Sequence, residues 1–128
     1  MLNRFLSLAI VIGALGNAAQ AIAQEATEMY IPIGQSPGIS SKTTVIGTVQ
    51  ALNAAARTVT VAGSSGAQTF EVTEKTRIWL DKSALRQANQ GGSLADLRQG
   101  RRVEVKPLPA GAKSGADWIK VQVPAVGG

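Results

Sequence analysis

The stretch "TTVIGTVQALNAAARTVTVAGSSGAQTFEV", Thr43 to Val72, carries the pattern that decides the fold. Apolar and polar side chains alternate through most of it, which is typical of strands with one buried face. In the first run Val45, Gly47, Val49 and Ala51 fall on one side, and Gly47 indicates a bulge or a sharp bend. The runs "RTVTV" and "AQTFEV" alternate in the same way around the turn "GSSG", which predicts a hairpin.

Three later runs continue the strand pattern: "TRIWL" (76–80), "RRVEVKP" (101–107) and "DWIKVQV" (117–123). Between them "KSALRQANQ" predicts one short helix with Asp81 as its cap, and "SLADLRQG" predicts a further turn. The order predicts a mainly β protein, a small antiparallel barrel of about six strands with one short helix, over 43–124. An open sandwich is the alternative architecture, and residues 125–128 form a tail.

The chain opens with a predicted signal peptide over 1–23. Arg4 precedes the apolar core "FLSLAIVIGAL", and small residues follow at 19–21 and 21–23. A core of eleven residues is too short to span a bilayer, which takes roughly 20 apolar residues. We therefore expect cleavage after Ala23, or alternatively after Ala21, and a mature protein that is periplasmic or secreted and has no membrane span.

An extended arm is predicted over 24–42. Its central part "MYIPIGQSPGIS" (29–40) has two prolines, two glycines and no periodicity. Tyr30, Ile31 and Ile33 on this stiff segment favour an arm that covers apolar surface of the barrel. The alternative is a docking segment for a partner, since a rigid backbone loses little entropy on binding.

Several phrases have a recognisable form: "VIGTVQALNAAARTVTV", "FEVTEKTRIWL" and "SLADLRQGRRVEVK". They resemble a family of small exported bacterial proteins that carry an OB-like β-barrel domain of unknown function. The shared features are a Gly-x-Val step, a threonine before the fourth strand and a Leu-x-x-Gly phrase, here Gly47 to Val49, Thr76 and Leu97 to Gly100. The resemblance implies the barrel from about Thr43 to Val123 and implies no catalytic residue.

Composition restricts the chemistry. The chain has no His and no Cys, so the usual zinc, copper and nucleophilic sites are excluded, and no metal or cofactor is expected. The acidic residues of the predicted strands and turns stand singly and are expected to be solvated: Glu71, Glu74, Asp81, Asp96, Glu104 and Asp117. We predict that the protein is not an enzyme, and a carboxylate-dependent enzyme is a remote alternative. Removing Arg4 with the leader leaves twelve basic and eight acidic residues, a net charge of +4.

The strand phase places two tryptophans on the outward side, and cations share that side. An OB-type barrel can bind polyanions, oligonucleotides or oligosaccharides on such a face. The candidate ligand-binding residues are Arg77, Trp79, Arg102, Lys106, Trp118 and Lys120, and the candidate partner-docking residues are Tyr30, Ile31 and Ile33. The alternative is that both tryptophans pack under the arm, under the helix or in a homodimer. The sequence thus predicts a module that acts by binding or assembly, with an anionic polymer, an envelope protein or a second copy as its partner.

Overall fold

The structure is a computed structural model that describes residues 27–109 and 115–125. The predicted signal peptide, the first residues of the predicted arm and most of the predicted tail lie outside these ranges. No helix among the described residues is both long and apolar enough to cross a membrane.

In the part of the chain that the structure describes, seven strands form one sheet. Their bounds are β1 Val45–Asn53, β2 Thr58–Gly63, β3 Gly66–Glu71, β4 Arg77–Asp81, β5 Gln90–Gly91, β6 Arg102–Pro107 and β7 Ala116–Gln122. Six of them follow the alternating runs, and the short strand β5 begins at the end of the segment predicted to be helical. The order across the sheet is β3-β2-β1-β6-β7-β4-β5. A parallel bridge between Glu71 and Gly115 joins the end of β3 to the chain just before β7, so the sheet closes on itself. The predicted small OB-like β-barrel is confirmed.

One pairing differs from the predicted antiparallel pattern. Strands β4 and β7 are parallel, whereas the other pairings between the named strands are antiparallel. The chain reaches β7 from β4 through β5 and β6, and a connection of this length permits a parallel neighbour. At the start of β4 the hydroxyl of Thr76 donates to the carbonyl oxygen of Ala116 at 2.7 Å, which holds the two strand starts together.

The barrel interior is filled by the inward side chains that the alternation predicts. They are mostly valines, together with larger side chains from the turns and from β3, β4 and β7: Val49, Val59, Val61, Phe70, Val72, Leu80, Leu97, Val103, Val105, Ala116, Ile119 and Val121. Each buried Val or Leu side chain stabilises the fold by about 1.5–3 kcal/mol. Apolar packing therefore supports a cysteine-free domain.

The bulge in β1 is not at Gly47. The register against β2 shifts between Val49 and Ala51, so Gln50 is the extra residue and the alternation changes phase there. Leu52 then packs against the core and Ala51 is exposed, contrary to the predicted phase. Gly47 instead marks a close approach, because a Cβ on it would lie 2.2 Å from the carbonyl oxygen of Ala62.

The predicted helical region consists of two single 3-10 turns, Ser83–Leu85 and Leu94–Asp96. The first turn ends at once because Arg86 is left-handed, with φ 54°. The amide of Lys82 then donates to Asn89 Oδ1 at 2.7 Å, which closes a compact loop in place of a longer helix. Lys82, and not the predicted Asp81, is the N-cap of the first turn. Asp81 lies one residue earlier, and its Oδ1 accepts from the amide and the hydroxyl of Ser83.

Candidate ligand-binding site

The outer face of β6, β7 and β4 brings the predicted site residues together. Register pairs Arg77 with Trp118 and Trp118 with Lys106, which forms one row across the three strands. The next row contains Trp79, Lys120 and Glu104. We call these two rows the outer face. The strand phase read from the sequence therefore places the tryptophans and cations on one side of the sheet.

The arm lies over the centre of this face. Ile33, 4% exposed, is fixed by its amide, which donates to Asp81 Oδ2 at 2.9 Å. The amide of Gly34 donates to Glu104 Oε1, also at 2.9 Å. From the other side Asn89 Nδ2 donates to the carbonyl oxygen of Met29 at 3.0 Å. Consecutive backbone amides and a carbonyl of the arm thus bind to polar side chains of the barrel.

A buried ion pair joins the arm to the middle of the face. Lys120 Nζ lies 2.7 Å from Glu28 Oε1, and its side chain is 1% exposed. The same ammonium lies 4.7 Å from the centroid of the Trp118 ring, within range of a cation–π contact. The Trp79 and Trp118 ring centroids are 5.6 Å apart and the planes are tilted by 35°. Glu28 therefore neutralises a lysine that is otherwise surrounded by aromatic surface.

Two acidic residues that the sequence predicts to be solvated are buried here, so that prediction is wrong for Asp81 and Glu104. Glu104 is fully enclosed, and its Oε2 accepts from the hydroxyls of Ser40 and Thr44 at 2.8 Å each. Together with the amide of Gly34 these donors satisfy the carboxylate. Buried charges are tolerated where hydrogen bonds of this kind compensate them.

Burial separates the predicted ligand residues into two groups. Trp79, Trp118 and Lys120 are covered, the tryptophans being 7% and 4% exposed. Arg77 and Arg102 reach the surface, and Lys106 is half-buried with its Nζ 3.8 Å from Asp117. With the arm in place the tryptophans cannot act as a stacking platform for a ligand.

The predicted docking residues of the arm also divide. Ile33 is buried and Ile31 is half-buried, whereas Tyr30 is 60% exposed. Of the three, only the tyrosine presents most of its side chain to a partner.

A concavity opens at one end of the outer face. We call this concavity the arginine cleft. Its volume is about 310 Å³, and it is lined by Arg98, Gln99, Gly100, Arg101, Arg102, Gln122 and Pro124. None of these described lining residues is acidic. Arg101 Nε is buried and has no hydrogen-bond partner within the described chain. Leaving such a donor unsatisfied costs about 1–3 kcal/mol. Three arginines without an acidic residue in the described lining make the cleft suited to an anion.

The loop that carries the arginines is anchored at both ends. Leu97 is fully buried and fills the end of the core, immediately before Arg98. The amide of Gly100 donates to the carbonyl oxygen of Val49 at 2.8 Å. The amide of Val49 in turn donates to the carbonyl oxygen of Arg101 at 2.9 Å. Gly100 has φ 89°, a conformation that favours glycine. The Leu-x-x-Gly phrase thus fixes the loop beside the β1 bulge and holds its arginines at the cleft.

The charge distribution favours anions at the surface. Among the described residues three acidic side chains are buried, Glu28, Asp81 and Glu104, against one basic side chain, Lys120. The exposed surface is therefore more basic than the formal net charge of +5 suggests. A positive field raises the local concentration of anionic ligands and speeds their association.

Sequence reasoning named one cleft residue, Arg102, and missed Arg98, Arg101 and Gln122. The signal for the arginines is present in "LRQGRR" (97–102), which carries three of them within five positions. Its Leu-x-x-Gly phrase and the Val-x-Val run that follows are typical of a turn and a strand start, which conceals the cluster. Gln122 is contributed by a different strand, and no local pattern links it to that loop.

Comparisons with known proteins complete the description. No protein family and no curated protein matches the chain. Among solved structures it is similar to a copper(II)-bound variant of CusF from Escherichia coli, with 15% sequence identity and a TM-score of 0.44. That similarity covers 62% of this chain and 89% of the other.

Proposed function

We propose that the protein is an exported, non-enzymatic β-barrel module that binds an anionic ligand in the arginine cleft. The observation that carries the proposal is the set of three guanidinium groups around one concavity with no acidic lining residue among those described. Arginine presents several N–H donors in a planar fork, which matches carboxylate, sulfate and phosphate oxygens. The location that we propose is the periplasm, which the predicted leader supports.

The buried carboxylates and the anchored arginine loop support the same proposal. The buried carboxylates already have partners: Asp81 and Glu104 accept from amides of the arm, and Glu28 accepts from Lys120. None of the three lines the cleft. The cleft lies on strand ends and on a loop held by backbone hydrogen bonds. A ligand would therefore meet charged groups that are already in position, which lowers the entropy cost of binding.

The proposal is tested by calorimetric titration of the protein with dextran sulfate and with neutral dextran, at low and at high salt. We expect saturable binding of the sulfated polymer that weakens with added salt, and no binding of the neutral one. Arg101→Ala should weaken binding about tenfold, since a hydrogen bond to a charged group contributes about 1.5–3 kcal/mol.

The matched control is Lys75→Ala, which removes one exposed cation from the turn before β4, outside the cleft. It should change the affinity by less than about twofold, as expected for a solvated charge. Equal losses in the two variants would mean that only overall charge attracts the polymer. Absence of binding at low salt would overturn the proposal itself.

A further inference from the structure

We infer that the ligand of the arginine cleft is an acidic oligosaccharide, an inference that rests on the proposed function above. Its chemical class is a chain of sugar units that carry carboxylate or sulfate groups. The inference rests on two observations. Glutamines line the cleft together with the arginines, and no aromatic residue is among the described lining residues.

The cleft contains two side-chain amides besides its cations. Gln99 lies on the arginine loop, and Gln122 lies at the end of β7, where it pairs with Asp81 of β4. An amide both donates and accepts hydrogen bonds, as a sugar hydroxyl does. A cleft that contains both guanidinium and amide groups therefore matches a ligand that carries both oxyanions and hydroxyls. Gln122 is half-buried, and its backbone is fixed by pairing with β4.

A nucleic acid would need a different surface. Proteins that bind single strands combine cations with aromatic side chains on which the bases stack. No aromatic residue is among the described residues that line the cleft, and Trp79 and Trp118 are buried under the arm. The large aromatic side chain that the described chain exposes is Tyr30, which lies outside the lining set. An acidic saccharide requires no such platform, because charges and hydroxyls supply its contacts.

The test compares three probes on the full chain by calorimetry at low salt: an oligogalacturonate, an oligothymidylate of equal charge, and inorganic sulfate. We expect the oligogalacturonate to bind about tenfold more tightly than the oligothymidylate. Gln122→Ala should weaken oligogalacturonate binding about fivefold, the effect of losing one neutral hydrogen bond, and leave sulfate unchanged. Arg101→Ala should weaken both.

Gln99→Ala provides a second variant, since this exposed side chain lies on the loop and its loss leaves the strands intact. It should also weaken the oligogalacturonate selectively. The inference is overturned if the oligothymidylate binds as well as the saccharide, or if neither glutamine variant affects saccharide binding. Neither result would contradict the proposed anion site. If none of the three probes bound, the proposed function would be overturned as well.

Discussion

Lys120 Nζ and Glu28 Oε1 lie 2.7 Å apart although 92 residues separate them in the chain. The lysine is enclosed by Trp118 on one side and by the arm on the other. This contact joins the N-terminal arm to the centre of the barrel wall.

Replacing Lys120 should therefore be strongly destabilising. Lys120→Met leaves the Glu28 carboxylate buried without its cation, and removing one partner of a buried pair typically costs about 3–5 kcal/mol. Urea denaturation, followed by circular dichroism, measures the free energy of unfolding. The double variant Glu28→Gln with Lys120→Met should recover part of the loss, because no charge is then left unpaired.

The control for this prediction is Lys106→Met. Lys106 Nζ is 3.8 Å from Asp117, and both side chains are 39% exposed, so solvent screens the pair. We expect a change below about 1 kcal/mol. If the two lysine variants had equal stability, the ion pair with Glu28 would not be holding the arm.

Glu104→Gln should also loosen the arm. The carboxylate accepts hydrogen bonds from the amide of Gly34 and from the hydroxyls of Ser40 and Thr44. A glutamine replaces one accepting oxygen by an NH₂ donor, so at least one donor loses its partner, at a cost of about 1–3 kcal/mol. The melting temperature should fall, and the Gly34 amide should exchange hydrogen faster.

The exposed residue Glu71 offers the same chemical change without the network. Glu71→Gln should leave both the melting temperature and the exchange of the Gly34 amide unaltered. Unaltered exchange in the Glu104 variant would show that its carboxylate does not position the arm.

The strands were predictable because alternation is local, and Val59, Val61, Phe70 and Val72 show it within a few residues. The buried charges were not predictable in this way. Glu104 has the sequence signature of a solvated strand residue, and acidic side chains are seldom fully buried. Its burial depends on an arm that lies 60 or more residues away in the chain, and such a contact leaves no periodic signal.

The two tryptophans should emit at short wavelength and resist quenching by acrylamide, since both are buried. Ile33→Asp should raise the quenching, because a charge replaces the buried apolar side chain that sits beside Asp81. Tyr30→Asp places the same charge in the same arm at a position that is 60% exposed, and it should leave the quenching unchanged. Emission typical of water-exposed tryptophan in the unaltered protein would mean that the arm does not cover the face.

Gly47→Ala should destabilise the barrel by about 1–3 kcal/mol, the usual cost of an overpacked site. The added Cβ would lie 2.2 Å from the carbonyl oxygen of Ala62, so β1 and β2 would have to separate. Gly91→Ala is the matched control, since no atom lies within 4 Å of a Cβ at that position. Thermal unfolding should distinguish the two variants, and equal melting temperatures would contradict the close approach.

The contact between Glu28 and Lys120 also constrains the order of folding. The arm precedes all seven strands in the chain, but Lys120, which binds Glu28, lies on β7, and Glu104 lies on β6. The arm therefore cannot dock until almost the whole chain is available, and closing so long a loop is slow relative to forming the β1–β2 hairpin. Until that late step the tryptophan pair is open to water, and the newly made barrel exposes the aromatic and charged side chains that the arm later covers.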